Sequence, residues 1–255
     1  MPHKVTLFGL PFDNVTMGET LAAIESLIAR KKPALIFTPN VQRVVAASRN
    51  ESIRQIYRQA DLLLPDGMPL YWSSRLLGRG LKARVAGSDL IFTFCERAAE
   101  RGHRVFFLGA APGVAVKAAE NLAAKYRGLV VAGTYSPPFG FEADSQEVGK
   151  IVALLESSRP DQLFLALGFP KEEDFLWQHR DQIQVPVSIG VGASIDFAAG
   201  RARRAPLWIQ RIGLEWFFRL VQSPRRLWKR YLVSNAYFIY LLAKELVSRR
   251  RQGRP

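Results

Sequence analysis

The sequence predicts an α/β fold: a mostly parallel sheet with helices between its strands, followed by a basic, aromatic helical appendage. Three observations predict it. Seven short, continuously apolar runs recur along residues 1–200, the pattern expected of strands covered on both faces. Segments of helical period separate them. The composition then changes near residue 200, which divides the chain into a core at 1–200 and an appendage at 201–255.

The apolar runs lie at 4–8, 34–38, 61–64, 105–109, 129–133, 162–167 and 187–191. The first helical segment, 16–30, carries Leu21, Ile24, Leu27 and Ile28 on one face, and Thr16 with Glu19 forms a capping box. Another, 88–101, opens with Ser88-Asp89 and stops before Gly102. A third, 112–126, starts at Pro112, a residue preorganised for a first helical turn. Shorter helices are expected from Val41 onward and over 171–180. No internal repeat or low-complexity segment is visible.

Composition narrows the function. With 48% apolar and 23% charged residues in 255, the chain can bury a core and is not disordered. One cysteine, Cys95, excludes a disulfide framework and a cysteine-based zinc site. It falls among Ile91, Phe94 and Ala98 and reads as core. The three histidines, His3, His103 and His179, do not stand at ligand spacing, so no metal site is expected. The apolar stretch 231–243 is broken by Ser234 and Asn235 and ends at Lys244, too short to span a bilayer. Residues 1–13 lack a signal-peptide run. A cytoplasmic protein is expected.

The net charge is +14, and residues 201–255 hold 14 Lys and Arg against Glu215 and Glu245, a local +12. Trp208, Trp216 and Trp228 lie in the same segment. Such a tail suits an anionic membrane surface, nucleic-acid phosphates, or the phosphates of a small ligand. A non-catalytic basic module that binds nucleic acid would explain the charge, but not the residues at the strand ends; a purely structural protein on a membrane surface would explain the tail. A solvated basic helix is the bland alternative, which the interleaved aromatics weaken.

In parallel sheets ligands bind beyond the carboxyl ends of strands. Those positions read Thr38-Pro39-Asn40, Pro65-Asp66-Gly67, Gly109 to Gly113, Gly168-Phe169-Pro170-Lys171, and Gly192 to Asp196. Each by itself is ordinary turn chemistry; together they outline a crevice. Gly109 and Gly113 can cradle a phosphate or ribose at a helix N-terminus. Neither a G-x-G-x-x-G nor a P-loop fingerprint is present, and Gly190-x-Gly192 has Ile195 where a third glycine would stand. Asp66 reads as a general base or as the cap of the next helix. Asn40 caps a helix or binds a hydroxyl or carbonyl. Glu172, Glu173 and Asp174 fit a helix dipole better than a metal. The absence of Asp-x-Asp disfavours chemistry that relies on paired aspartates for Mg²⁺.

The chain resembles the WecG/TagA/CpsF family of bacterial glycosyltransferases over roughly residues 5–235. The motifs that carry the resemblance are Thr38-Pro39-Asn40, Pro65-Asp66-Gly67, Val85-Ala86-Gly87-Ser88-Asp89, Val105 to Gly113, Gly168-Phe169-Pro170-Lys171-Glu172-Glu173, and Gly190 to Phe197 with Gly200. Arg204-Ala205-Pro206 and Gly213 to Arg219 complete them. The resemblance implies a Rossmann-like sheet with helices on both faces and a C-terminal helical appendage. It implies transfer of a sugar from a UDP-sugar to a sugar on a polyprenyl diphosphate, with inversion, at the inner membrane face, in the biosynthesis of cell-surface polysaccharide. The best-known activity moves N-acetylmannosamine onto undecaprenyl-diphosphate-linked N-acetylglucosamine. Asp66 then matches the family's base, Thr38 and Asn40 its sugar pocket, and Arg219 and Arg226 its diphosphate-binding arginines. Gly109, Gly113, Gly168, Gly192 and Asp196 stand where the donor would bind. One departure is Glu172, where the family usually has Gln; an ionised carboxylate accepts hydrogen bonds but does not donate them, so the identity of the sugar is in question.

Inverting transfer needs a base on the acceptor hydroxyl and charge stabilisation on the leaving diphosphate. Asp66 can supply the first. Arginine forks in the tail, bidentate and always charged, are expected to supply the second without a metal or cofactor. The expected partners are the UDP-sugar, the lipid-linked acceptor and the membrane surface, with no nucleic acid; self-association is left open.

Overall fold

The computed structural model describes residues 3–222 and 224–251. The run at 4–8 does not join the main sheet. It forms β1 (Lys4–Leu7), which pairs antiparallel with β2 (Leu10–Asp13). The reason is local: Phe8 and Gly9 take φ of +54° and +77° and close a tight hairpin before any helix can intervene. Pro11, which cannot donate to a ladder, is tolerated in so small a sheet.

The other six runs make one parallel sheet: β3 (Leu35–Phe37), β4 (Leu62–Leu63), β5 (Arg104–Gly109), β6 (Val130–Tyr135), β7 (Gln162–Ala166) and β8 (Val187–Gly190). Their spatial order is β4-β3-β8-β7-β5-β6. Successive residues of a strand face opposite sides, and the core divides accordingly. Leu35, Phe37, Phe106, Leu108, Leu163 and Leu165 pack on one face. Ile36, Leu62, Val105, Phe107, Phe164 and Ile189 pack on the other. Gly109, at φ +100°, lets β5 press against β7; a Cβ there would meet the Ala166 carbonyl at 2.4 Å.

Helices cover both faces. In chain order they are α1 (Met17–Ala29), α2 (Val41–Arg49), α3 (Glu51–Arg58), α4 (Met68–Leu76), α5 (Gly87–Arg101), α6 (Val114–Lys125), α7 (Ser145–Ser158), α8 (Lys171–Gln178) and α9 (Ser194–Ala198). The Thr16–Glu19 capping box forms as expected, and Gly102 ends α5 in the left-handed conformation. Cys95 is fully buried on the inner side of α5.

The appendage comprises α10 (Leu207–Arg211), α11 (Glu215–Gln222) and α12 (Pro224–Arg251). Along α12, Leu227, Ser234 and Phe238 are buried and Tyr231 is half-buried, which is helical spacing for one inward stripe. That stripe continues to Leu241, which packs on the core, and to Glu245, which accepts a hydrogen bond from the Phe8 N–H at 2.9 Å and pairs with Arg79. Phe238 meets Phe8 with ring centroids 5.0 Å apart. Among the described residues no helix is long and apolar enough to cross a membrane.

Candidate active site

The loops that follow β3 and β4, at the carboxyl edge of the sheet, build the site, and backbone hydrogen bonds hold them together. The Asp66 N–H donates to the Pro39 carbonyl at 3.2 Å, and the Val85 N–H to the Pro65 carbonyl at 2.9 Å. Asn40, Asp66 and the start of α5 are thereby drawn together. Asn40 does both things its position allows. Its Oδ1 accepts from the N–H groups of Gln42 and Arg43 at 3.1 and 3.3 Å, capping α2, and the residue also lines the cavity. Asp66 does not cap α4: the N-cap is Gly67, at φ +114°, and no side chain caps that helix. The carboxylate is left to face the cavity.

The cavity encloses about 800 Å³, counted to its open mouth, a size usual for small-molecule sites. Its core wall includes Asn40, Asp66, Arg84 and Ser88; the appendage contributes Glu215, Trp216, Arg219 and Tyr231. Gly213 allows the appendage to approach, since a Cβ there would meet the Trp72 ring at 2.5 Å. Ion pairs fix the mouth. Glu215 holds Arg84 at 3.5 Å, Arg219 at 3.2 Å and Arg204 at 3.7 Å. Asp89 takes Arg84 at 2.9 Å and also pairs with Arg204. The Arg219 guanidinium lies over the Phe197 ring at 4.9 Å. Its Nε, like Nε and Nη2 of Arg204, is buried without a hydrogen-bond partner among the described residues. Such donors favour an anionic acceptor.

Asp66 is half-buried, and its pKa is raised to about 6. Burial is the main cause and the Glu215 carboxylate adds to it, while Arg84, Arg219 and Arg43 oppose. A carboxylate so tuned accepts a proton near neutral pH more readily than an ordinary aspartate does.

A second polar cluster lies behind the site. Arg43 is buried and pairs with Glu172 at 2.9 Å and Glu173 at 3.2 Å. The Tyr57 hydroxyl donates to Glu173 at 2.8 Å, and the Gly168 N–H to Glu172 at 2.9 Å. Burial pushes the Glu173 carboxyl upward, and the Arg43 guanidinium opposes it. The three acids do stand in the first turn of α8, as the helix-dipole expectation has it, and Glu172 and Glu173 also serve Arg43. Glu172 is fully buried and does not line the cavity. Gly190 is glycine for the same reason, since a Cβ would meet Glu172 Oε2 at 2.8 Å.

The remaining predicted positions fall apart from the cavity wall. Thr38 is buried and sits against α5, where a Cβ on Gly87 would meet its Oγ1 at 2.9 Å. Gly109, Gly113, Gly168, Gly192 and Asp196 follow β5, β7 and β8 along the same sheet edge but do not line the cavity. Asp196 pairs with Arg201 at 3.8 Å. The side chain of Arg226, on α12, lies outside the described residues. Sequence reasoning did not single out Arg84 or Arg43. Arg84 immediately precedes the Val85-Ala86-Gly87-Ser88-Asp89 motif, a signal that could have found it; Arg43 offers none. Among the described residues no group of three or more His, Cys, Asp and Glu side chains could hold a metal ion.

Residues 5–252 match the model of the "Glycosyl transferase WecG/TagA/CpsF family". The chain is similar to an N-acetylglucosaminyldiphosphoundecaprenol N-acetyl-beta-D-mannosaminyltransferase of Bacillus spizizenii, 35% identical over 86% of this chain and 82% of the relative. Proteins of the same name from Bacillus subtilis and Staphylococcus aureus are 32% and 28% identical, each over 94% of this chain and 91% and 92% of their own.

Proposed function

The chain belongs to the WecG/TagA/CpsF family of glycosyltransferases, and from that premise we propose that it moves a hexose, of the N-acetylmannosamine type, from a UDP-sugar to N-acetylglucosamine on a polyprenyl diphosphate. The named activity of the relatives supports the sugar and the acceptor. The observation that carries the chemistry is that the Asp66 carboxylate and the guanidiniums of Arg84 and Arg219 line a single cavity.

In this reaction an acceptor hydroxyl oxygen attacks the anomeric carbon from the face opposite the diphosphate. The bond from that carbon to the diphosphate oxygen breaks, UDP departs, and the hydroxyl proton passes to Asp66. The configuration inverts because one displacement occurs. Arg219 takes the charge that develops on the diphosphate, and Arg226 is assigned the same role. The loss of one such electrostatic donor typically costs about 10²–10³-fold in rate. Thr38 supports the sugar pocket from behind, and Asn40 meets the sugar in the cavity. Gly109, Gly113, Gly168, Gly192 and Asp196 hold the nucleotide further along the sheet edge. No cofactor or metal enters this scheme.

The acceptor is a lipid, and the appendage has the character of a membrane-binding surface. Leu207, Trp208, Trp228 and Leu232 are exposed within the segment of net charge +12. Basic residues near an anionic surface contribute about 1 kcal/mol each. We place the enzyme as a peripheral protein at the inner membrane face.

The test is sugar transfer from UDP-N-acetylmannosamine, UDP-N-acetylglucosamine and UDP-glucose to lipid-linked N-acetylglucosamine, with and without EDTA, the product being read by mass spectrometry. Transfer that survives EDTA and is lost in Asp66→Asn supports the proposal. Absence of transfer from any UDP-sugar, or full activity of Asp66→Asn, overturns it.

A further inference from the structure

Beside the polar cavity lies a second hollow of about 1100 Å³, counted to its open mouth. The two share Val41, Pro69, Trp216 and Asn235 as walls, so one runs into the other. Their chemistry differs sharply. The first carries Asp66, Arg84, Glu215 and Arg219. The second carries no charged side chain among the described residues: beyond the shared walls it is lined by Trp72, Ser73, Leu76, Phe238, Ile239 and Leu242. It runs between α4 and α12, with Trp72, Leu76 and Ile239 exposed by 46%, 62% and 66%. Apolar side chains exposed side by side along one groove mark a candidate binding surface.

We propose that this groove binds the first isoprene units of the acceptor's lipid, next to the diphosphate. This rests on the glycosyl-transfer reading above and deepens it. A polyprenyl-diphosphate sugar is polar at one end and hydrocarbon at the other, with no spacer between. A site for it must pass from charged to apolar within one molecule's reach, and this pair of hollows does so at Trp216 and Asn235. The groove extends along α12 from Asn235 to Leu242, about 10 Å at the helical rise, so only the head-proximal part of the chain is held. The rest is left to the bilayer. The continuity with the catalytic cavity is what selects the acceptor's own tail over a loose membrane lipid or a second copy of the chain.

The experiment uses the full chain in detergent micelles, with two acceptors that carry the same N-acetylglucosaminyl diphosphate. One bears a prenyl tail, the other a short alkyl tail. Leu76→Gln and Ile239→Gln, singly and together, change exposed groove residues outside the catalytic cavity. The double variant is expected to lose about tenfold or more in kcat/KM with the prenyl acceptor, with the short-tailed acceptor and the KM for the UDP-sugar unchanged. Its thermal unfolding should match the parent. Equal losses on both acceptors, or no loss on either, overturn the groove. So does a wild-type enzyme that uses both acceptors equally well, a result that leaves the glycosyl-transfer reading intact. A prenyl preference that persists in the variant while its sedimentation with anionic vesicles falls also overturns it, and assigns the face to the membrane. A shift from dimer to monomer with unchanged prenyl preference overturns it in favour of a second copy. If the wild type glycosylates neither acceptor, it is the parent reading that fails.

Discussion

Arg84 of the core and Glu215 of the appendage form an ion pair 3.5 Å long across the mouth of the cavity. Through Glu215 the appendage does two things at once. It gathers Arg84, Arg204 and Arg219, and it places a negative charge where Asp66 feels it. The appendage therefore adds to the basicity that burial gives a group of the core, with Glu215 raising it and Arg219 opposing.

That arrangement predicts the pH profile. Asp66, with its pKa raised to about 6, acts as a base only when ionised, so kcat/KM should fall about tenfold per pH unit below 6. Glu215→Gln removes a like charge, which lowers the Asp66 pKa and moves the acid limb to lower pH. Arg219→Ala removes an opposing charge and moves it upward. Initial rates from pH 4.5 to 8 check both directions; shifts of the same sign would refute the assignment.

Asp66→Asn should lower kcat by about 10²–10⁴-fold, the usual worth of a general base, with the UDP affinity kept. The same substitution should stabilise the fold. Because the folded-state pKa lies above the ordinary value of 3.8, the folded state binds the proton more tightly than the unfolded one. Stability is therefore present at low pH and declines as pH rises from about 4 to 6. At pH 7 the neutral amide should gain on the order of 1–3 kcal/mol, read by urea unfolding, and the gain should vanish near pH 4.

Arg219→Lys keeps the charge and loses the planar fork. It should recover only part of the roughly 10²-fold loss expected of Arg219→Ala. Isothermal titration with UDP separates binding from turnover: both variants should weaken UDP. Unchanged affinity in Arg219→Ala would remove this arginine from the diphosphate site.

Arg43→Met should destabilise the protein by about 3–5 kcal/mol, because it leaves two buried carboxylates without their cation. Chemical denaturation measures this, and a second substitution, Glu173→Gln, should recover part of the loss.

Glu172→Gln should leave the choice of donor sugar unchanged, since the carboxylate is fully buried against Arg43 and the Gly168 N–H. Competition between UDP-N-acetylmannosamine and UDP-N-acetylglucosamine in one reaction is the check. A changed product ratio would return this position to the sugar pocket.

Much of the core was legible in the chain. The apolar runs at 34–38, 61–64, 105–109, 129–133, 162–167 and 187–191 became the strands of the parallel sheet, and the Thr16–Glu19 box formed. These are local signals, governed by residues within a few positions of one another. The run at 4–8 looked no different, yet Phe8 and Gly9 turned it into a hairpin. Asp66 was ambiguous because a turn aspartate and a catalytic base share one sequence pattern; the uncapped N-terminus of α4 removes the capping role. Arg43 and Glu172, 129 positions apart, gave no hint of each other.

The amino-acid order determined the fold class, the candidate base and the concentration of positive charge and aromatic rings beyond residue 200. Periodicity, capping and charge are properties of neighbouring residues, and can be read without knowing the path of the chain. Only the tertiary structure decided that Glu215 and Arg219 share a cavity with Asp66, that Glu172 turns inward to Arg43, and that an apolar groove adjoins the charged cavity. Each of these depends on how far-separated segments pack, and therefore on which charges share a low-dielectric space and which hydrocarbon is left uncovered.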